Sequence, residues 1–119
     1  MRYLSIYKTI ERGVPPSQDE MDRMGKLIEE GMKAGYLVTV EGCLPSKLGA
    51  RVRLSKGKVT ATDGPFTEAK EVVGGYAVLA AATRQEALDA ARRFMELHVR
   101  HWPTWVGECE VREVVFLAP

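Results

Sequence analysis

Apolar and polar residues repeat along this chain with two different periods. A period of two begins at residues 2–8, where Leu4 and Ile6 alternate with Tyr3, Ser5 and Tyr7. This alternation predicts a strand with one buried face. The same reasoning predicts strands over 36–40 and 110–117, a hairpin of 50–54 with 58–62, and an apolar central strand over 72–81.

A period near 3.6 marks two helices. Ser17 with Glu20, and Thr83 with Glu86, are typical capping boxes that begin a helix. Gly35 is a favoured C-terminal stop for the first helix. The apolar stripes are Met21, Met24, Leu27, Ile28 and Met32 in the first helix, and Ala87, Ala91, Phe94, Met95 and His98 in the second.

The predicted order is therefore strand, helix, strand, hairpin, strand, helix, strand, in one domain over residues 1–119. Two helical crossovers around a small antiparallel sheet predict an α+β ferredoxin-like sandwich with an inserted β-hairpin. Helices cover one face of such a sheet, and the chain offers nothing for the other. We therefore expect a homodimer joined through the sheets.

Composition excludes several classes of function. The chain has 119 residues, 45% of them hydrophobic, and a net charge of +1, so no excess of basic charge predicts nucleic acid or a membrane surface as partner. The absence of a long apolar run favours the cytoplasm. Cys43 and Cys109 stand far apart and are predicted to be free, buried thiols rather than a disulfide or metal pair. No cofactor or metal is expected.

A charged corner separates the hairpin from the central strand. Asp63 precedes Gly64 and Pro65, and Gly64 is predicted to take a positive φ. Asp63 is a candidate acid or base, although it can equally cap its own turn. Beyond the corner, Gly74-Gly75 predicts a bulge or a close approach to the backbone.

The remaining candidate residues each have a structural alternative. His98 and His101 are candidate catalytic residues, whereas a histidine on an apolar helix face is commonly a hydrogen-bonded core residue. Lys70 and Glu71 are candidate substrate ligands or members of a surface ion pair. Tyr7 and Trp102 are candidate substrate contacts, and Trp102 can instead fill a dimer interface. Arg51 and Arg53 share one face of the hairpin, which is predicted to be its solvated face.

The motif Asp63-Gly64-Pro65-Phe66-Thr67-Glu68-Ala69-Lys70-Glu71, followed by Gly74-Gly75-Tyr76, resembles the DGPF-type branch of the YCII-related proteins. The resemblance extends through Gly42 and Pro45 and through Glu110-Val111-Arg112. It implies a dimeric α/β barrel similar in architecture to muconolactone isomerase. It also implies an Asp and a His in a shared pocket, and Asp63 matches the motif acid.

Two functions are compatible with these features. The first is an acid–base enzyme, isomerase-like or lyase-like, acting on a small metabolite. The second is a non-catalytic ligand-binding or regulatory module. Some proteins of the resembling branch are encoded beside, or fused to, alternative sigma factors, so the resemblance allows a link to sigma-factor regulation.

Overall fold

The computed structural model describes residues 1–11, 15–66, 71–101 and 106–118, with no account of the side chains of 99–101. Its elements follow the predicted order. They are β1 (Arg2–Thr9), α1 (Gln18–Ala34), β2 (Leu37–Gly42), a short 3-10 turn (Ser46–Leu48), β3 (Ala50–Ser55), β4 (Lys58–Asp63), β5 (Val72–Ala80), α2 (Arg84–His101) and β6 (Gly107–Glu113).

Four of the strands form one antiparallel sheet in the order β2-β5-β1-β6, and β3 pairs with β4 in a separate two-stranded sheet. This order, with both helices as crossovers, is consistent with a ferredoxin-like α+β fold. The inserted hairpin is confirmed. The barrel and the dimer require a second copy and stay predictions.

The last strand was misplaced by sequence reasoning. It was predicted over 110–117, but β6 covers Gly107–Glu113. Register with β1 decides the position, because β6 pairs from Thr9↔Gly107 to Tyr3↔Glu113. Beyond this pairing, the Val114 amide still donates to the Arg2 carbonyl oxygen at 3.0 Å. The apolar run that follows is therefore not part of the sheet.

Both helices begin where the capping boxes predict. The Ser17 hydroxyl accepts from the Glu20 amide at 3.2 Å, and the Thr83 hydroxyl accepts from the Glu86 amide at 3.2 Å. Gly35 ends α1 with a φ of 84°. Each cap satisfies backbone groups that have no partner within the helix.

Both helices lie on one face of the sheet. Tyr7 of β1 contacts α2, and α1 contacts α2, so the residues with the parity of Tyr7 face the helices. The small buried core lies in this layer, around Tyr3, Leu79 and Ala87. On the opposite face Leu4, Ile6 and Val78 are half-buried, and neither helix covers them. We call this opposite surface the open face.

The hairpin differs from the prediction at Arg51, whereas Arg53 on the same face is exposed as predicted. Its turn is of type I′, with positive φ at Lys56 and Gly57. Arg51 lies 3.9 Å above the Phe66 ring and lines the helix side of the molecule. The opposite face, which carries Val52 and Leu54, is exposed. The prediction that the arginine face is the solvated one is therefore wrong for Arg51, because Phe66 shields it.

Candidate functional site

An open cleft of about 1940 Å³ lies on the helix side of the sheet. One wall is the apolar stripe of α1, including Met24 and Ile28, and the floor is formed by β1 and β5. The α2 residues Phe94 and His98 lie at the other wall. A typical small-molecule site occupies roughly 300–1,000 Å³, so a small ligand would fill only part of this space.

Tyr7, Phe94 and His98 form an aromatic cluster at the wall and floor of the cleft. The Tyr7 ring stacks on the His98 imidazole with centroids 5.6 Å apart and planes at 29°. Its edge contact with Phe94 has a centroid distance of 5.2 Å. Such ring contacts hold aromatic side chains in defined orientations. The imidazole is therefore held in place by packing.

Gly74 makes room for this cluster. The pairing of β1 with β5 shifts register between Tyr7 and Lys8, which confirms the bulge predicted from Gly74-Gly75. A Cβ at Gly74 would lie 2.7 Å from two carbons of the Tyr7 ring, closer than carbon atoms pack. The glycine therefore positions Tyr7 and, through it, His98.

One nitrogen of His98 is fixed by its own helix. His98 Nδ1 lies 3.0 Å from the carbonyl oxygen of Phe94. A carbonyl oxygen only accepts, so Nδ1 carries a proton. In the neutral imidazole the lone pair is then on Nε2, and a histidine in this tautomer can use that nitrogen in acid–base chemistry.

A polar junction ties three segments together beside the cleft. The buried Ser46 donates its amide to the Glu11 carboxylate at 2.9 Å and its hydroxyl to the second carboxylate oxygen. The same hydroxyl accepts from the Phe66 amide at 3.4 Å. The hydrogen bond from the Ser46 hydroxyl, with that from its amide, lowers the pKa of Glu11. No local pattern signals this junction, since Glu11 and Ser46 are 35 residues apart.

Gly64 is required at the corner for a different reason than predicted. The described glycines with positive φ are Gly35 and Gly57, so the expectation of a positive φ at Gly64 is wrong. Instead, a Cβ at Gly64 would overlap the carbonyl oxygen of Ser46. Close backbone approach selects glycine here. The Gly64 amide also donates to the Gly49 carbonyl oxygen at 2.9 Å.

A second polar pair missed by sequence reasoning joins β2 to β5. The Tyr76 hydroxyl donates to the Glu41 carboxylate. This hydrogen bond, together with the charge of Glu41, raises the pKa of Tyr76. The two residues are opposite each other in the antiparallel pair, so only the strand register brings them together.

The structure brings together some of the predicted site residues. Tyr7, Glu71 and His98 line the cleft. Asp63 does not line it and lies exposed at the end of β4, opposite Ala50. Of the predicted Asp63–His98 pair, His98 therefore lines the cleft of the single chain and Asp63 does not.

Three other candidates cannot be placed in the site. Lys70, Trp102 and the side chain of His101 lie outside the described residues. Their predicted roles, and the catalytic roles of Asp63 and His98, stay predictions.

Both cysteines are free. Cys43 is exposed rather than buried as predicted, because the loop after β2 faces solvent. Cys109 is half-buried, with its sulfur 3.5 Å from that of Met95, and burial raises the pKa of its thiol.

Within the described ranges, no three acidic, histidine or cysteine side chains are grouped as metal ligands would be. Over the same ranges, neither helix has the length and apolar character needed to cross a membrane.

Two comparisons with known proteins give matches, one to a family and one to an uncharacterised relative. The model of the YCII-related domain matches residues 1–97. A relative in Rhizobium meliloti (strain 1021), "Uncharacterized protein R00369", is 34% identical over 88 residues, which cover 74% of this chain and 67% of that protein.

Proposed function

This chain belongs to the YCII-related domain family, and we propose that it binds a small, mainly apolar metabolite in its cleft. Within that cleft, His98 acts as the acid–base group of an isomerase-like or lyase-like reaction. The apolar wall from α1 supplies binding surface, and a few polar groups at the opposite wall orient the ligand, as in most small-molecule sites.

The observation that carries this proposal is the geometry of His98. Its Nδ1 proton is held by the Phe94 carbonyl oxygen and its ring is stacked on Tyr7. Proton transfer is efficient when a group is held in one tautomer and orientation. The same packing serves binding, because a rigid aromatic cluster presents a preformed surface.

A second candidate function is ligand binding without catalysis. It is favoured by the position of Asp63, which is exposed at the end of β4 and does not line the cleft. An enzyme that pairs an Asp with a His needs both groups within reach of one substrate. A regulatory module needs only the cleft.

Self-association is part of the proposal. The open face carries half-buried Leu4, Ile6 and Val78, and packing two such faces would remove this apolar area from water. Sedimentation at micromolar concentration should then give twice the chain mass of 13.2 kDa. A stable monomer would contradict it.

Two finer assignments rest on sequence alone. The motif from Asp63 to Tyr76 supports membership of the DGPF-type branch. The lack of a long apolar run supports a location in the cytoplasm.

A fragment screen followed by isotope exchange tests the function. Uncharged and anionic metabolite fragments are added to labelled protein, and binders should shift NMR resonances of Tyr7, Phe94 and His98. For each binder, solvent deuterium incorporation reports proton transfer. His98→Gln should keep binding and reduce exchange by roughly 10²–10⁴-fold. Met32→Gln, at an exposed α1 residue that does not line the cleft, is the control and should change neither. Binding without exchange would favour the second candidate, and no binding in the cleft would overturn both.

A further inference from the structure

We propose that the apolar face of the β3–β4 hairpin is covered by residues 112–117 of a second copy of this chain, with the reciprocal contact formed at the same time. This inference rests on the proposed self-association and specifies which segments meet. The hairpin face is separate from the open face of the four-stranded sheet, whereas Arg112, which pairs with Leu4, lies on the open face.

In the single chain the apolar face of the hairpin is largely exposed to solvent. Val52 and Leu54 are each 73% exposed and Val59 is 68% exposed. These side chains share one face, because Val52 pairs with Ala61 and Leu54 with Val59. A two-stranded hairpin without a packed face is marginal in water. On its polar face Arg51 packs on Phe66 and Arg53 is a charged residue suited to water, so the apolar face is the one that needs a partner.

The same chain offers a matching apolar segment. After β6 ends, Val115, Phe116 and Leu117 are 75%, 87% and 94% exposed. Consecutive apolar side chains are seldom left exposed together unless another surface covers them. The hairpin face and this segment each carry three large apolar residues that are more than two-thirds exposed.

The segment cannot reach the hairpin of its own chain. It leaves the sheet beside Tyr3, whereas the hairpin is attached beyond Gly42 and Val72, near Thr9. The strand from Tyr3 to Thr9 spans about 20 Å at roughly 3.3 Å per residue. Four residues from 114 to 117 extend at most about 14 Å. In a two-fold dimer, each copy can instead supply the segment to the other.

Spacing and charge support one alignment. Arg112, Val114 and Phe116 recur at every second residue, as do Asp63, Ala61 and Val59 in the opposite direction. In an extended segment antiparallel to β4, Phe116 packs on Val59 while the Arg112 guanidinium meets the Asp63 carboxylate. Both charged groups are exposed, and Arg112 has its own-chain contact with Glu110 at a long 3.7 Å. This alignment also gives Asp63 a role in the assembly.

Disulfide trapping tests the contact directly. In a Cys43→Ser/Cys109→Ser background, protein carrying Val59→Cys is mixed with protein carrying Phe116→Cys and oxidised mildly. The expected result is a covalent dimer between the two proteins. Met32→Cys, at a 48% exposed residue of α1, replaces Val59→Cys as the control and should give none.

Dissociation constants provide the second measurement. Phe116→Asp should weaken the dimer by roughly 10- to 100-fold, the loss expected from one buried aromatic side chain, while Met32→Asp should not. Combining Asp63→Arg with Arg112→Glu should restore affinity lost in either single variant. A wild-type monomer would overturn the self-association itself. A wild-type dimer that Phe116→Asp leaves unchanged, without the Val59–Phe116 cross-link, would overturn this contact alone.

Discussion

The four-stranded sheet and the β3–β4 hairpin differ in whether their own chain covers their apolar face. In the sheet, one face of β1 and β5 is buried by α1 and α2 of the same chain, and Leu79 is only 4% exposed. In the hairpin, the apolar face points away from the chain that forms it, and Leu54 is 73% exposed. Both regions alternate apolar and polar residues in the same way.

The comparison shows that alternation predicts an amphipathic strand but not what covers its apolar face. The sheet is covered because βαβ crossovers return a helix to the same face each time. The hairpin has no crossover, since β3 and β4 are joined by two residues. A partner must therefore come from elsewhere.

The largest expected difference between the two regions is in core truncation. Leu79→Ala should reduce the free energy of unfolding by about 2–5 kcal/mol, the range for buried leucines. Leu54→Ala should change it by no more than about 0.5 kcal/mol at concentrations where the chain is monomeric. Chemical denaturation of both variants measures this. An equally large, concentration-independent cost for Leu54→Ala would show that its own chain covers the hairpin.

The base of the hairpin should be far less tolerant than its face. Gly64→Ala is expected to destabilise the chain by about 1–3 kcal/mol, because the new methyl group meets the Ser46 backbone. Gly25→Ala is the control. It lies within α1 with no atom near its added Cβ and should stabilise by about 0.5–1 kcal/mol. Thermal melts compare them, and an unchanged midpoint for Gly64→Ala would mean that the corner can move.

Acid sensitivity should come in part from the sheet. Lys8 donates to Glu110 at 2.8 Å, and this hydrogen bond lowers the pKa of Glu110 and raises that of Lys8. The contribution of Glu110 to the stability of the fold is present above its ordinary pKa of 4.5. It is lost as the pH falls through the lowered pKa. The contribution of Lys8 to stability is present below pH 10.5, its ordinary pKa, and is lost as the pH rises through the raised pKa.

Glu110→Gln should accordingly flatten the acid limb of melting temperature against pH. Asp19→Asn, in an exposed pair within α1, serves as the control. If Glu110→Gln leaves the acid limb unchanged, the Lys8–Glu110 pair does not contribute to the acid sensitivity of the fold.

The smallest expected effect is at the other edge of the sheet. Because Tyr76 donates to Glu41, the pKa of Tyr76 is raised above 10.0, and the stability it confers is present below 10.0 and lost as the pH rises through the raised value. Tyrosinate ultraviolet absorbance should show a late-titrating component that belongs to Tyr76. Tyr76→Phe should remove it, and Glu41→Gln should shift it to lower pH. A titration curve whose late part neither variant changes would contradict the pairing.

Features that depend on local chemistry were predictable. The capping residues, the hairpin turn and the Gly74-Gly75 bulge follow from hydrogen bonding and backbone preference within a few residues. The position of β6 could not be predicted in this way, because its register is set by β1, about a hundred residues away. For the same reason, no local pattern predicts the Glu11–Ser46 junction or the Tyr76–Glu41 pair, whose partners are each 35 residues apart.

The residues of the candidate site likewise fall into those that the sequence predicted and those whose position the fold decided. Sequence reasoning selected Tyr7 and His98 from their places on a strand and on a helix face, and the packing of α2 on β1 stacks the two rings. It also selected Asp63, on a corner of suitable stiffness, yet the direction in which the hairpin leaves the sheet decides whether that carboxylate reaches the cleft.

The sequence by itself determined the type and order of the helices and strands, though not the bounds of β6, since type and order depend on periodicity and end signals within short stretches. Tertiary structure alone decided that Arg51 of the hairpin is partly shielded and why Gly64 must be glycine. Those properties depend on long-range contacts, where Arg51 packs on Phe66 and the Ser46 carbonyl approaches the corner. No alternation of residue types encodes the direction of such approaches.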